Sequence, residues 1–179
     1  ELLKNQSSNA LSLDKSNILE LRNTYFNSVK EYVTLEPGNV YIDKFPLNIA
    51  YVPILSKVFP NAKYILELRH PCYASLSCFM HSFGINSAMC NFTNIDDTVS
   101  LYVKLMSSWE EYSKANNLTS HRIRYEDIIN DFQHETDQLL KFLDLDWDDN
   151  VNAHTENARS KGFIDTPSYD QVTKPLYKD

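Results

Sequence analysis

The sequence predicts an α/β fold in which a parallel sheet is covered by helices on both faces. Three short apolar runs, at 40–42, 62–68 and 123–125, have the length and composition of strands. Between and after these runs, apolar residues recur three or four positions apart, which is typical of amphipathic helices. Strands that alternate with helices indicate crossover connections and therefore parallel pairing. The length of 179 residues fits a single domain, 1–179.

The first predicted element is a helix that begins after Ser12 or Asp14 and runs to about Val33. Both residue types are good N-caps, because their side-chain oxygens accept hydrogen bonds from the first free backbone N–H groups. An apolar stripe at helical spacing supports the helix. The stripe consists of Ile18, Leu21, Tyr25, Val29 and Tyr32.

A turn at 36–39 leads to the first predicted strand, 40–42, which ends at Asp43 and Lys44. A helix is predicted from about Leu47 to Val58, where a proline and an asparagine end it. The second strand, 62–68, follows and ends directly before Arg69.

A helix from about Tyr73 to Phe83 is predicted next, followed by an irregular loop. A long helix capped by Asp96 or Asp97 then runs to about Ala115. The third strand, 123–125, and a helix at about 131–143 complete the predicted elements. The remaining tail is polar and has few periodic signals.

Polar residues follow each predicted strand. In parallel sheets, ligands bind beyond the carboxyl ends of the strands. This rule selects Asp43–Lys44, Arg69–His70 and the segment 125–127, and we expect all three to line one edge of the sheet.

Arg69 and Ser77 are the first candidate site residues. The planar guanidinium group of arginine suits a phosphate or a carboxylate. Ser77 lies in the following predicted helix, whose first turns and free backbone N–H groups could approach the same anion. A surface ion pair of Arg69 beside ordinary helix serines is the simpler interpretation of this segment, and the segment alone leaves both interpretations open.

Three weaker candidates lie elsewhere in the chain. Lys44 could contact a second anionic group, although lysines after strands are usually solvated. Tyr125 could stack on a base or could simply line the rim of the core. The tail 166–177 has two prolines and several hydrogen-bonding side chains, and its composition also fits a disordered terminus.

Composition argues against several classes of function. A net charge of −7 disfavours general nucleic-acid binding, and the sequence contains no apolar run long enough to span a membrane. The five histidines are scattered, so no metal site is expected. An odd number of cysteines without paired spacing disfavours a disulfide framework and favours a reducing environment. Neither a Walker loop nor a GxGxxG motif is present.

Taken in order, four segments resemble the sulfotransferase family. They are YIDKFPLN, VFPNAKYILELRHPCYASLSCF, IRYEDII and TPSYDQVTKPLY. The resemblance spans about residues 40–177 and points to the bacterial branch often joined to tetratricopeptide repeats and to the tyrosylprotein sulfotransferases. Its specific parts are the Arg-x-Pro with serine at plus eight and the SYDQVxKP tail.

The resemblance implies a P-loop-like fold and transfer of a sulfuryl group from 3'-phosphoadenosine 5'-phosphosulfate (PAPS) to a hydroxyl or phenol acceptor, without a metal. It assigns the donor's 3'-phosphate to Arg69 and Ser77, with a weaker contact from His81 because histidine is only partly charged at neutral pH. Tyr125 would lie beside the adenine. The strip 168–177, including Gln171 and Lys174, would wrap the nucleotide. Lys44 and Ser168 would approach the transferring group and act in catalysis.

Two departures qualify these expectations. The family's loop for the 5'-phosphosulfate has no counterpart, so we expect an N-terminally incomplete fold and a chain that is inactive or severely impaired alone. The catalytic base is also not assignable, because Lys44 stands at the position where the cytosolic branch has its histidine.

Two other interpretations are compatible with the sequence. A non-catalytic module that binds 3'-phosphoadenosine is the main alternative, and a nucleotide or sugar kinase with a related sheet is the other. The expected partners are PAPS or its product adenosine 3',5'-bisphosphate (PAP) and an unidentified acceptor. A cytoplasmic location is expected, with a Golgi lumen as the alternative, and the sequence assigns no oligomeric state.

Overall fold

The computed structural model describes residues 13–81, 83, 84, 86, 88–153 and 156. Within these residues the α-helices are α1 (Lys15–Lys30), α2 (Val52–Val58), α3 (Pro71–Met80), α4 (Ile95–Ala115), α5 (Tyr125–Asn130) and α6 (Phe132–Leu143). The strands are β1 (Tyr64–Leu68) and β2 (Ser120–Arg124). Short 3₁₀ turns lie at Pro46–Tyr51, Met89–Phe92 and Asp149–Val151. No helix in this part of the chain combines the length and the apolar character that a membrane crossing needs.

The described residues divide into two compact units. Unit 1 contains the residues up to 62 together with 108–118, and unit 2 contains the rest. Helix α4 contributes residues to both. Val52, Val58 and Trp109 are buried in unit 1, and Leu66, Ser75, Thr98 and Ile123 are buried in unit 2.

Strands β1 and β2 form a parallel sheet in unit 2. Tyr64 pairs with Ser120 at one end, and Leu68 pairs with Arg124 at the other. Leu66 and Ile123 supply the buried side chains of the pair, and helix α6 contacts β2. Helices and a small parallel sheet are consistent with the predicted α/β class.

The predicted strand at 40–42 is wrong. These residues have no regular secondary structure, and Val40, Tyr41 and Ile42 are exposed. A strand is held by ladder hydrogen bonds to a neighbour. Within the described residues, the sheet contains β1 and β2 and no ladder to 40–42.

Unit 1 is held together by contacts between its first two helices. Asp14 caps α1 by accepting the backbone N–H of Asn17 at 2.8 Å, so the cap prediction holds, although α1 ends three residues before Val33. Arg22 donates from Nε to the carbonyl of Val58 at 2.8 Å, at the last residue of α2. Helix α2 starts later than predicted, because a 3₁₀ turn precedes it and Pro53 stands in its first turn.

Unit 2 contains the other corrections to the predicted helices. Helix α3 begins at Pro71, two residues earlier than predicted, because proline at the first helical position has the required φ. Helix α4 begins at Ile95, since the side chain of Asn94 accepts the N–H of Asp96. Helix α5 was not predicted. It starts at Tyr125, which had been assigned to a strand.

Candidate functional site

The carboxyl edge of the sheet brings Arg69 and Tyr125 together. Leu68 and Arg124 are register partners at the ends of β1 and β2, so the next residues of both strands emerge side by side. The guanidinium carbon of Arg69 lies over the Tyr125 ring, 5.0 Å from its centroid. Both residues are half-buried. The edge therefore presents a positive charge beside an aromatic ring.

Tyr73 adds a second ring to this edge, and sequence reasoning missed it. Its centroid lies 5.9 Å from the guanidinium carbon of Arg69, and its ring contacts the His70 ring edge-on at 5.3 Å. The signal in the sequence is that Tyr73 follows Arg69 by four residues. This spacing places Tyr73 in the first turn of α3, which begins at Pro71.

Glu126 links the two strand ends. It lies in the segment 125–127 that was expected at this edge, but its hydrogen bond was not predicted. Its Oε1 accepts the backbone N–H of His70 at 2.8 Å. That hydrogen bond is the main reason why the pKa of Glu126 lies below its usual value. Arg124 lies 3.8 Å from its other oxygen. His70 and Glu126 each lie two residues beyond the last register pair, Leu68 and Arg124, and the hydrogen bond of 2.8 Å joins them.

Ser77 and His81 continue along α3 beyond Tyr73. Tyr73, Ser77 and His81 are spaced four apart, so Tyr73 and Ser77 share one face of the helix and His81 follows at its C-cap. The imidazole Nδ1 of His81 lies 2.7 Å from the carbonyl oxygen of Ser77. A carbonyl only accepts, so Nδ1 carries the proton, and Nε2 donates to an anion only when the ring is protonated.

The start of α3 offers fewer donors than predicted. Pro71 has no N–H, and the N–H of Cys72 donates to Nδ1 of His70 at 3.3 Å. The N–H of Ala74 donates to the carbonyl of His70. The donors that this edge offers to an anion are therefore side chains more than backbone N–H groups of the helix start.

Lys44 belongs to unit 1, whereas the residues above belong to unit 2. Lys44 is exposed, and it forms no ion pair within the described part of the chain. Its neighbour Asp43 accepts hydrogen bonds from the Tyr25 hydroxyl at 2.9 Å and from Asn48 at 3.1 Å. Burial, with the bond to Asp43, raises the pKa of Tyr25 to about 12. These contacts anchor the segment that carries Lys44, but no strand ends there.

The predicted tail residues Ser168, Gln171 and Lys174 lie outside the described residues. Among the residues that are described, no group of three or more His, Cys, Asp or Glu side chains is arranged to hold a metal ion. The described edge thus combines an arginine with two tyrosine rings, and a helix serine, Ser77, lies further along α3. This set suits an anionic group attached to a planar ring system.

Comparison with known proteins gives a consistent result. The model of the sulfotransferase family matches residues 5–149. A protein of Aquifex aeolicus (strain VF5), named only as uncharacterized, is 25% identical over 141 residues, which are 76% of this chain and 18% of that protein. Protein-tyrosine sulfotransferase 1 of Danio rerio is 26% identical over 145 residues, 79% of this chain and 40% of the relative. Protein-tyrosine sulfotransferase of Drosophila melanogaster is 27% identical over 159 residues, 79% of this chain and 29% of the relative. The chain therefore spans less than half the length of these relatives.

Proposed function

This chain belongs to the sulfotransferase family, and from that membership we propose that it acts in transfer of the sulfuryl group of PAPS to a hydroxyl or phenol acceptor. Members of the family generally use PAPS as the donor. The observation that carries the proposal is the Arg69–Tyr125 contact of 5.0 Å at the carboxyl edge of the β1–β2 sheet. We also propose that this sheet is part of a P-loop-like parallel sheet with helices on both faces, within a single domain.

We propose that the edge holds the 3'-phosphoadenosine end of the donor. Arg69 would supply the charge for the 3'-phosphate, and the hydroxyl of Ser77 would donate to the same group. Protonated His81 would add a third donor. Tyr125 offers an aromatic face for the adenine, and its contact with Arg69 supports a site in which ring and phosphate are bound together.

The chemical step requires positioning and charge stabilisation rather than covalent catalysis. Sulfuryl transfer, like phosphoryl transfer, is an in-line displacement in which charge spreads over peripheral oxygens. We propose that Lys44 and Ser168 approach those oxygens and stabilise this charge. Gln171 and Lys174 would hold the nucleotide. The step needs no metal ion.

The acceptor class follows from the names of the relatives. Two of the relatives described above are protein-tyrosine sulfotransferases, so we propose a phenol, such as a tyrosine side chain, as the first acceptor to test.

Calorimetry with PAP tests the proposal on the residues that carry it. We expect the 179-residue chain to bind PAP without magnesium and to bind ATP with magnesium much more weakly. Arg69→Ala should lower the affinity for PAP by about 10- to 100-fold, because charge-assisted hydrogen bonds contribute about 1.5–3 kcal/mol. The affinity of Arg69→Lys for PAP should lie between those of the wild type and Arg69→Ala, since lysine keeps the charge and lacks the planar guanidinium group.

Arg122→Ala is the matched control, because Arg122 is an exposed arginine of β2 that precedes the edge. It should bind PAP like the wild type. Equal losses of PAP affinity in Arg69→Ala and Arg122→Ala would show that the effect comes from the overall charge of the chain and not from a specific site. Magnesium-dependent binding of ATP without binding of PAP would favour a kinase instead.

A further inference from the structure

The two rings that contact Arg69 come from different helices. Tyr125 begins α5 and Tyr73 lies in the first turn of α3. Their centroids lie 5.0 and 5.9 Å from the guanidinium carbon, and both distances fall within the range of cation–π attraction, about 6 Å. Arg69 therefore contacts aromatic side chains on both elements that follow the sheet edge.

Tyr73 is itself held in place, although its side chain is 48% exposed. Its ring contacts the His70 ring at an interplanar angle of 64°. The backbone N–H of His70 donates to Glu126 at 2.8 Å. Tyr73 thus packs against the N-cap residue of α3, which is itself hydrogen-bonded to Glu126 of α5. This packing limits the movement of the ring beside Arg69.

Such a contact leaves the arginine able to bind an anion. A guanidinium group that lies over the face of an aromatic ring keeps N–H groups at its own edge that can bind phosphate oxygens. The two interactions therefore do not compete. A long flexible side chain that is already held by a ring loses less freedom when it binds its ligand.

We propose that Tyr73 is a positioning residue that holds the Arg69 guanidinium group for the donor's 3'-phosphate. This inference rests on the proposed function, and it adds a residue outside the set that the sequence suggested. Tyr73 acts through Arg69 and does not need to touch the donor. The ring is the part that matters, and the hydroxyl is dispensable.

The test compares affinity for PAP with affinity for adenosine 5'-monophosphate, which lacks the 3'-phosphate, in the 179-residue chain. Tyr73→Ala should reduce the preference for PAP by about two- to five-fold, the size of an exposed cation–π contact. Tyr73→Phe should keep the wild-type preference because it keeps the ring. Leu76→Ala is the control, since Leu76 lies on the same helix and is 49% exposed.

The outcomes separate this inference from the proposed function. If the wild type binds PAP and Tyr73→Ala weakens both nucleotides equally, Tyr73 has only a structural role and the inference is wrong. An unchanged preference in Tyr73→Ala, or a loss in Tyr73→Phe as large as in Tyr73→Ala, overturns it as well. If the wild type shows no preference for PAP that depends on Arg69, the proposed function fails, and the inference fails with it.

Discussion

Replacement of Leu66 by alanine should weaken the sheet that places Arg69. Leu66 lies in the middle of β1, and its side chain is only 7% exposed. Removing three carbons from that environment loses about 2 kcal/mol of transfer free energy. The cavity left behind adds to this, so we expect a loss of about 3 kcal/mol in the free energy of unfolding.

Urea unfolding followed by circular dichroism measures this loss. With a slope of about 2 kcal/mol per molar urea, the midpoint should fall by about 1.5 M. Hydrogen exchange of the β1 and β2 amides should accelerate in parallel, because those strands share the lost contact. Glu67→Ala is the control, since Glu67 is the next residue and is exposed. Equal midpoints for the two variants would refute the assignment of Leu66 to the core of the sheet.

Three further predictions concern the side chains of Glu126, Tyr25 and Asp131. The pKa of Glu126 lies below its ordinary value of 4.5, mainly because its carboxylate accepts the N–H of His70. The ionised carboxylate therefore stabilises the folded chain above about pH 4.5, and this stabilisation is lost as the pH falls. The melting temperature of Glu126→Gln should therefore drop less on acidification than that of the wild type, and parallel curves would contradict this. The pKa of Tyr25 is raised from 10.0 to about 12 by burial and by Asp43, so its contribution is present below pH 10 and is lost as the pH rises towards 12. Ultraviolet titration should show a tyrosine that ionises at unusually high pH, and this signal should be absent in Tyr25→Phe. If the signal persists in that variant, it does not come from Tyr25. Asp131 caps α6 by accepting the N–H of His134 at 3.0 Å, so Asp131→Ala should cost about 1 kcal/mol in urea unfolding and Asp131→Ser much less. Equal costs for both substitutions would argue against a capping role.

The sequence was sufficient to predict the part of the site that depends on strand ends. Local composition and the rule for parallel sheets were enough to predict a buried apolar run directly before Arg69 and another, 123–125, that includes Tyr125. The structure pairs these runs in parallel and brings both residues together. The family assignment likewise followed from the order of motifs, and the match over residues 5–149 confirms it.

The errors arise where structure depends on partners distant in the chain. The run at 40–42 has the composition of a strand, but a strand also needs a neighbour, and composition cannot supply one. Tyr125 has high β-propensity, yet it begins α5 because tertiary contacts outweigh propensity at an element boundary.

The contacts of Tyr73 and Glu126 were not predicted, for a different reason, although the segment 125–127 was expected at the sheet edge. Each matters through a contact that crosses from one strand end or helix to another, and spacing alone does not reveal the strand register. Glu126 lies in α5, beyond the last register pair of Leu68 and Arg124, so even the register does not reveal that its side chain accepts the N–H of His70.

The coupling between Arg69 and the 3'-phosphate of the nucleotide tests the proposed binding site most directly. Affinities for PAP and adenosine 5'-monophosphate, each measured with the wild type and with Arg69→Ala, form a double-mutant cycle in which one change is made in the ligand. We expect Arg69→Ala to remove most of the preference for PAP, a coupling of about 10-fold or more, with little change in the affinity for adenosine 5'-monophosphate. Equal losses for both nucleotides, and hence no coupling, would contradict the claim that Arg69 binds the 3'-phosphate.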